Sequence, residues 1–423
     1  MSNTASDIST QIKNLAHEAR KAATRMAGLS SATKNELLER MATALEQQRS
    51  ELQQQNDLDV REARANKLAP AMIDRLILTD ERIDAMAQGL REVAALPDPV
   101  GEVTSMWRRP SDIQVGRMRI PLGVIGIIFE SRPNVTADAA GLCLKSGNAI
   151  ILRGGSEAIH SNTAIGRILK GELEHMGLPP AALQVLETTD RSAVNTLLQC
   201  EEDIDLIIPR GGEGLIRFVS EASRIPVIKH YKGVCHTYVD SEADEEMASR
   251  ICINAKTQRP GVCNAMETLL IHKDIAETFV PRIANDMRQH GVELRGCSIT
   301  CSLAPGVNPA TADDWDAEYL DLILAVKVVD DLDEAITHIE KHGSLHTEVI
   351  VTDSYAHAQE FTRRVNSSVT MVNASSRFSD GGQFGLGAEI GISTTKLHSF
   401  GPMGLEDLTT RKFIVFGTGQ VRV

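Results

Sequence analysis

The stretch VIGIIFESRPNVTADAAGLCLKSGNAIILRGGSE, residues 124–157, decides the fold. It begins with an apolar run, Val124 to Phe129, that is typical of a buried strand. A helical segment follows from Asp138 to Lys145, and a second apolar run from Ala149 to Leu152. A strand, a helix and a strand in this order predict a βαβ unit, because two parallel strands need a long crossover between them.

The same alternation continues beyond this stretch. Ser156 opens a helix that is predicted to run to His175, and a second series of strands and helices begins at Met266. Strands that alternate with helices predict mostly parallel sheets covered on both faces. We therefore predict an α/β fold with two parallel-sheet domains that meet near residues 240–258. The other predicted strands lie at 183–185, 205–208, 266–272, 324–329, 348–352 and 369–372.

Three flanking segments complete the predicted architecture. Residues 7–95 have apolar residues at every third or fourth position and predict a helical layer. Prolines and glycines punctuate residues 96–122, where apolar residues from Ile113 to Ile120 predict a hairpin. The C-terminal residues 413–423 predict a final exposed strand.

The composition excludes some classes of function. The chain has 423 residues, of which 42% are hydrophobic and 24% are charged, as is usual for a globular protein. Its formal net charge of −13 argues against a nucleic-acid partner, because binding a polyanion needs a basic face. A small phosphorylated ligand needs only a local group of donors and stays open.

Targeting signals and cysteines point to the cytosol. Residues 1–14 lack the apolar core of a signal peptide, and no apolar run approaches the ~20 residues that a membrane span needs. Seven cysteines, an odd number, argue against a disulfide framework. Cys297 and Cys301 are four positions apart, but no second pair completes a zinc set, so we predict no metal site.

Two glycine-rich turns follow predicted strands and lead into helices. They are Arg153-Gly154-Gly155-Ser156-Glu157 and Pro209-Arg210-Gly211-Gly212-Glu213-Gly214. Glycines let backbone N–H groups approach a ligand closely, and a helix N-terminus favours an anion. Two such turns are what a dinucleotide site on a doubly wound sheet requires, although neither has the GxGxxG pattern. The alternative for each is an ordinary turn between a strand and a helix.

Two further segments carry candidate catalytic groups. Gln258-Arg259-Pro260-Gly261-Val262-Cys263-Asn264 places Cys263 in a tight loop, where backbone N–H groups can make a thiol nucleophilic. Glu130-Ser131-Arg132-Pro133-Asn134 follows directly on the first strand, and the amide of Asn134 can donate there to a developing oxyanion. Taken segment by segment, the alternatives are a buried structural cysteine and a capped turn.

The order of these motifs resembles that of the aldehyde dehydrogenase superfamily. Leu122-Gly123-Val124-Ile125-Gly126, Asn134, Gly147-Asn148 and the Cys263 loop follow one another as they do there. Longer motifs resemble the branch of the superfamily that reduces an acyl phosphate, and this resemblance covers nearly the whole chain. These motifs are residues 129–134, 152–157 and 259–264, and the segment from Val329 to Glu348 that contains His338, His342 and His346.

The resemblance implies a fold and an activity. The fold would be aldehyde-dehydrogenase-like, with a Rossmann-like cofactor domain, a catalytic domain and a small oligomerisation arm. The reaction would be the NADPH-dependent reduction of L-glutamyl 5-phosphate to L-glutamate 5-semialdehyde and phosphate, the second step of proline biosynthesis from glutamate. Cys263 would form a thioester, while the Asn134 side chain and the Cys263 backbone N–H hold the oxyanion.

One departure from the wider superfamily bears on the fate of the thioester. Hydrolytic members carry a glutamate in a Glu-Leu-Gly-Gly-Lys motif, which activates water against the intermediate. The corresponding segment here is His230-Tyr231-Lys232-Gly233-Val234, which has no carboxylate. This favours a reductive enzyme, although His230 could act as a base, so a hydrolytic aldehyde dehydrogenase stays an alternative.

A second departure bears on the cofactor. NAD-preferring relatives often place a glutamate against the adenosine ribose, near the position of Ser156. Ser156 and Arg153 would instead accept the 2′-phosphate of NADP. A shift of one residue in the alignment would place Glu157 there, which leaves NAD open. The residues expected to bind the cofactor are Arg153, Gly154, Gly155, Ser156, Arg210, Gly211, Gly212 and Gly214.

Substrate contacts and domain limits complete the expectations. Arg132, Arg259 and Lys256 are candidate contacts for the anionic groups of the substrate, and Glu389 for its ammonium group, with surface charges as the alternative for each. A homo-oligomer is expected, and a non-catalytic partner of glutamate 5-kinase is the alternative from another class of function. The predicted domains are 1–103 with 122–240 for NADP, 241–405 for catalysis, and 104–121 with 406–423 for oligomerisation.

Overall fold

The helices follow the predicted periodicity. A computed structural model describes residues 2–422. In the second helix, Ser30 accepts a hydrogen bond from the Thr33 N–H at 3.1 Å and so caps the N-terminus. The helices are α1 Ser2–Met26, α2 Ser31–Gln47, α3 Arg49–Ala65, α4 Pro70–Leu76, α5 Asp80–Ala95, α6 Asn134–Lys145, α7 Ile159–His175, α8 Arg191–Leu197, α9 Glu213–Ala222, α10 Glu245–Thr257, α11 Lys273–Gln289, α12 Ser298–Leu303, α13 Leu332–His342 and α14 Tyr355–Arg364.

The strands also alternate with helices as predicted. They are β1 Val103–Arg108, β2 Gln114–Pro121, β3 Val124–Phe129, β4 Ala149–Arg153, β5 Leu183–Val185, β6 Leu206–Arg210, β7 Cys235–Val239, β8 Met266–His272, β9 Glu293–Gly296, β10 Asn308–Pro309, β11 Ile323–Val329, β12 Thr347–Val351, β13 Val369–Val372, β14 Gly391–Ser393, β15 Gly401–Met403 and β16 Thr409–Phe416. The predicted α/β class with parallel sheets is confirmed.

The chain divides into two compact units. The first contains residues 1–229, 386–391 and 403–423, and the second contains residues 230–385 and 392–402. The division at 229–230 lies before the limit predicted at 240, and the predicted domain functions remain predictions. None of the helices that the structure describes is long and apolar enough to cross a membrane.

The first unit contains a parallel sheet with the strand order β5-β4-β3-β6. All six residues of β3 are buried, as expected for a strand covered on both faces. The chain proceeds from β3 outward to β5 and then returns to the other side of β3, so the order reverses between β3 and β6. Ligands bind at such a reversal, beyond the carboxyl ends of the strands.

The helical layer packs against this sheet and holds one end of it in place. The buried carboxylate of Asp59 on α3 accepts hydrogen bonds from the backbone N–H groups of Ser161 at 2.8 Å and His160 at 3.1 Å. These N–H groups belong to the first turn of α7, where no carbonyl of the helix can reach them. Asp59 therefore fixes α3 beside the turn that follows β4.

The predicted hairpin and final strand form a separate antiparallel sheet with the order β1-β2-β16. Apolar side chains on this sheet face solvent: Trp107 is 38% exposed and Phe413 is 61% exposed. The Arg117 guanidinium lies 4.5 Å from the centre of the Phe413 ring. Both outer strands, β1 and β16, have one edge without a neighbouring strand in the described chain.

The second unit contains a parallel sheet with the order β10-β9-β11-β8-β7-β12-β13. Strand β7 is absent from our predictions because its sequence, Cys-His-Thr-Tyr-Val, is not an apolar run. All five residues are nevertheless buried. The buried Glu348 carboxylate accepts hydrogen bonds at 2.9 Å from both the backbone N–H and the ring Nδ1–H of His236.

Candidate functional site

A cavity of about 940 Å³ opens at the carboxyl ends of β3 and β4 in the first unit. Residues 62–72 of α3, α4 and their connection form one wall, and residues of α8 and α9 form another. Four of the predicted cofactor residues line it, namely Arg153, Gly155, Ser156 and Gly214. The cavity is large enough for a cofactor and lies where a doubly wound sheet binds one.

The first glycine-rich turn allows a close approach to this cavity. A β-carbon at Gly155 would lie 2.2 Å from a carboxylate oxygen of Glu157, and one at Gly154 would lie 2.0 Å from the amide nitrogen of Asn162. Neither position has room for a side chain. Gly155 lines the cavity, while Gly154 packs inward and does not line it.

The second glycine-rich turn is tied to the end of β3. The Gly212 N–H donates a hydrogen bond to the Glu130 carboxylate at 2.9 Å, and a β-carbon at Gly211 would collide with that carboxylate. Arg210, Gly211 and Gly212 do not line the cavity. Gly214 is the residue of the second turn that lines it, and the cofactor role of the other three stays a prediction.

Two arginines give the cavity a positive region. Within the described chain, the Nε of Arg153 is buried and has no hydrogen-bond partner. Burial lowers the pKa of Arg153; the Glu157 carboxylate opposes this effect, and the guanidinium of Arg191 adds to it. Arg191 lines the same cavity from the first turn of α8. An anion near both guanidinium groups would relieve their repulsion and supply the missing partner.

The two acids nearest to Arg153 are already engaged. Glu157 accepts hydrogen bonds from both the N–H and the O–H of Ser131 at 2.6 Å, and Glu130 accepts the Gly212 N–H. Ser156 is exposed. The residues present therefore fit a phosphorylated dinucleotide, because the turn offers a hydroxyl and the Arg153 guanidinium to an anion, and Arg191 on α8 adds a second guanidinium.

The candidate oxyanion donor Asn134 begins α6. Its amide nitrogen donates a hydrogen bond to the Asp138 carboxylate at 2.9 Å, one helical turn further on. Burial raises the pKa of Asp138 to about 6, while the Asn134 amide and the Arg210 guanidinium lower it. The hydrogen bond assigns the orientation of the Asn134 amide, with one N–H held by Asp138.

Cys263 lies in the second unit, in the loop between the end of α10 at Thr257 and the start of β8 at Met266. It is half-buried. None of the seven cysteines, all within residues 2–422, forms a disulfide. The described residues contain no cluster of histidine, cysteine and acidic side chains that could hold a metal ion.

The segment from His230 to Val234 packs directly against the Cys263 loop. A β-carbon at Gly233 would lie 2.0 Å from the Cys263 carbonyl oxygen, and the Cys235 thiol donates to the same oxygen at 3.2 Å. The Gly233 N–H donates to the Glu318 carboxylate at 2.8 Å. A glycine at 233 is therefore needed for this close approach, and the carboxylate beside it is held by a backbone N–H.

The other side of the loop is held through Asn264, the residue after Cys263. Its backbone carbonyl accepts a hydrogen bond from the Ser376 hydroxyl at 2.7 Å, and its amide nitrogen donates to the Ser379 carbonyl at 2.8 Å. Its side-chain oxygen accepts a hydrogen bond from Arg377. Asn264 is almost fully buried. The candidate nucleophile thus sits in a loop that two separate segments fix in place.

Lys256 does not take the place that we predicted for it. Its side chain is 0% exposed and its Nζ lies 2.6 Å from a carboxylate oxygen of Glu267, which is also 0% exposed. Burial lowers the pKa of Lys256, and the Glu267 carboxylate partly offsets this. A fully buried and paired ammonium group cannot contact a substrate, so we correct its role to that of an internal ion pair.

The other predicted substrate contacts remain predictions. Arg259 is exposed next to the Cys263 loop in the second unit. Arg132 is exposed and Glu389 half-buried, and both belong to the first unit. Our sequence analysis missed Arg191 and Arg377. Arg191 follows an unremarked turn, and Arg377 is more than a hundred residues from the cysteine that it approaches.

Comparison with known proteins places this fold and site in a family. The family model described as "Aldehyde dehydrogenase family" matches residues 2–317. The chain is 65% identical to the gamma-glutamyl phosphate reductase of Geotalea daltonii over 415 residues. This alignment covers 98% of this chain and 99% of that relative. The chain therefore belongs to the aldehyde dehydrogenase family.

Solved structures agree with this assignment. The crystal structure of the gamma-glutamyl phosphate reductase of Thermotoga maritima is 46% identical and has a TM-score of 0.96, over 97% of this chain and all of that one. An acetylating aldehyde dehydrogenase of Geobacillus thermoglucosidasius shares the fold at 17% identity, with a TM-score of 0.68 and 99% of each chain covered. The predicted resemblance to the acyl-phosphate branch of the family, whose members are the gamma-glutamyl phosphate reductases, is confirmed.

We expect the loss of one partner of the buried Lys256–Glu267 pair to destabilise the protein strongly. Lys256→Met leaves a buried carboxylate without its partner and should lower the free energy of unfolding by about 3–5 kcal/mol. The double variant Lys256→Met/Glu267→Leu removes both charges and should recover most of that loss. Urea unfolding of the three proteins measures this. A single variant as stable as the wild type would contradict the assignment.

Proposed function

We propose that the protein is an NADP-dependent glutamate-5-semialdehyde dehydrogenase of the phosphorylating type. In the biosynthetic direction it would reduce L-glutamyl 5-phosphate to L-glutamate 5-semialdehyde and release phosphate, as a step of proline biosynthesis. The observation that carries this proposal is the half-buried Cys263 in a loop held on both sides. The relatives' shared name, gamma-glutamyl phosphate reductase, supports the choice of substrate.

Cys263 would act as the nucleophile. Its sulfur forms a bond to the acyl carbon, the bond from that carbon to the phosphate oxygen breaks, and phosphate leaves with the electron pair. Covalent capture divides a difficult reduction into two easier steps. The rigid loop favours this role, because a nucleophile that is already oriented has little conformational freedom to lose when it reacts. Asn134 keeps its proposed role as an amide donor to the oxyanion.

The cofactor would bind in the cavity at the ends of β3 and β4. When bound, it supplies the hydride that reduces the thioester to the aldehyde. Gly155 offers its backbone, and Arg153, Ser156 and Arg191 would hold the 2′-phosphate. A carboxylate at position 157 would repel the 2′-phosphate more than a neutral residue would. The Glu157 carboxylate, however, is directed to Ser131 by two hydrogen bonds.

A hydrolytic aldehyde dehydrogenase is the second candidate. The segment from His230 to Val234, which packs on the Cys263 loop, has no carboxylate to activate water. The nearby Glu318 accepts the Gly233 N–H and is thereby kept in place. Phosphate dependence separates the two candidates, because a hydrolytic enzyme would form NADPH from the aldehyde without phosphate.

The antiparallel sheet of β1, β2 and β16 would join copies of the chain. Exposed apolar side chains and strand edges without a neighbour favour association with a further strand. We propose a homo-oligomer built through this arm.

The first prediction concerns the nucleophile. With L-glutamate 5-semialdehyde, phosphate and NADP⁺, the wild type should form NADPH only when phosphate is present. Cys263→Ala should fall below about a thousandth of that rate, because no thioester can form. Cys301→Ser, which alters another half-buried thiol of the same unit, should keep the activity. Phosphate-independent turnover, or an active Cys263→Ala protein, would contradict the proposal.

The second prediction concerns cofactor choice. Arg191→Ala should weaken NADPH binding by about tenfold, since a charge-assisted hydrogen bond to the 2′-phosphate is lost. NADH has no such group, so its affinity should change less than about twofold. Titration calorimetry measures both without turnover. Arg167→Ala, on the exposed face of α7, is the matched control. An equal loss for both cofactors would show that Arg191 does not recognise the phosphate.

The third prediction concerns the arm. Phe413→Asp with Val415→Asp places two charges on exposed apolar positions of β16 and should shift the mass in solution toward the 46.0 kDa of one chain. Thr410→Asp, an exposed polar position on the same strand, should leave the mass unchanged. Light scattering after size exclusion measures this. A wild type that is already monomeric would rule out the proposed arm.

A further inference from the structure

Arg377 joins the two ends of the Cys263 loop. Its Nε donates a hydrogen bond to the Gln258 side-chain oxygen at 2.8 Å, and an Nη donates to the side-chain oxygen of Asn264. Gln258 is the first residue of the loop, and Asn264 directly follows Cys263. The guanidinium group therefore lies across the loop and is oriented by two hydrogen bonds.

The positive charge of Arg377 is not neutralised by these bonds. Both acceptors are neutral amide oxygens. Burial lowers the pKa of Arg377, the guanidinium of Arg259 lowers it further, and the Asp380 carboxylate and the Cys263 thiolate oppose this. Two arginines thus repel each other beside the candidate nucleophile, and one of them is held rigidly in the protein.

Two neighbouring guanidinium groups favour the binding of an anion with several oxygen atoms, such as phosphate. Guanidinium groups bind phosphate oxygens through paired, charge-assisted hydrogen bonds. The substrate class that the proposed function implies carries a phosphate on the carbon that Cys263 attacks, so that phosphate must lie close to the sulfur. A single site beside Cys263 would hold it before the reaction and receive it as the leaving group.

We propose that Arg377, together with Arg259, forms the site beside Cys263 that binds the phosphate group of the acyl phosphate, and inorganic phosphate in the reverse reaction. The inference rests on the proposed function for the substrate, and on the contacts of Arg377 for the site. As the sulfur–carbon bond forms, the carbon–oxygen bond breaks, the departing phosphate keeps the electron pair, and the two guanidinium groups stabilise its added negative charge.

Alkylation of Cys263 tests phosphate binding without turnover. Iodoacetamide modifies the thiol, and mass spectrometry of the peptide that contains Cys263 gives the rate. Inorganic phosphate should slow the reaction in the wild type. In Arg377→Gln the concentration needed for half of this protection should rise about tenfold or more. For Arg377→Lys, which retains the charge, the concentration of phosphate that gives half of the protection should lie between those of the wild type and Arg377→Gln.

Kinetics of the reverse reaction provide the second measurement. In Arg377→Gln the KM for phosphate should rise by about tenfold, while the KM for NADP⁺ stays within about twofold. A residue that only stiffens the loop would instead change kcat without a selective effect on phosphate. Arg363→Gln, an exposed arginine on α14, is the control and should match the wild type in both measurements.

The two proposals fail in different ways. A wild type without phosphate-dependent NADPH formation would overturn the proposed function. The phosphate site alone would be overturned if the wild type is active, but Arg377→Gln and Arg259→Gln have the same protection by phosphate and the same KM for phosphate as the wild type. Selective loss of phosphate protection and a raised phosphate KM in Arg377→Gln would support it.

Discussion

The buried ion pair of Lys256 and Glu267 is the constraint on which the second unit's site depends. It joins the last turn of α10 to the second residue of β8, the two elements between which the Cys263 loop runs. Each charge is costly to bury alone, so the pair forms only when both elements are in their native places. With its ends fixed, the loop can be fitted against Gly233 on one side and Asn264 can be bonded on the other. The cysteine is thus oriented by its surroundings, since a short loop has few contacts of its own.

In the first unit, backbone N–H groups help to hold the acidic side chains beside the cavity. Acidic side chains follow both β3 and β4, and uncompensated they would repel a phosphorylated ligand. Glu130 accepts a hydrogen bond from the Gly212 N–H and Glu157 accepts two from Ser131, so both carboxylates are held in place within the protein. The same bonds attach both glycine-rich turns to residues 130 and 131 at the end of β3. The positive charge at the cavity comes from Arg153 and Arg191, which line it together with these carboxylates.

Most of the fold could be predicted from the sequence, because strands and helices that alternate leave a periodic pattern. Strand β7 could not, since its polar residues are buried by bonds to a distant segment, as His236 is to Glu348. Candidate site residues could be proposed from the sequence where a motif is continuous, as at Cys263 and the glycine-rich turn. Lys256 misled us because nearness along a helix says nothing about the direction of a side chain. Arg377 was missed because only the tertiary fold brings it to the cysteine.

The net charge of the chain, which the sequence provides, does not predict the local charge of a binding pocket. A net charge of −13 argues against a polyanionic partner for the chain as a whole. It says little about a pocket, because exposed charges more than about 8 Å apart are largely screened at physiological ionic strength. Inside a pocket the nearest groups decide, and each unit holds two arginines that repel each other, Arg153 with Arg191 and Arg259 with Arg377. Such a pair raises the free energy of the empty protein, and an anion that binds between its members removes that penalty. An acidic protein can therefore be selective for small phosphorylated ligands while it repels large ones.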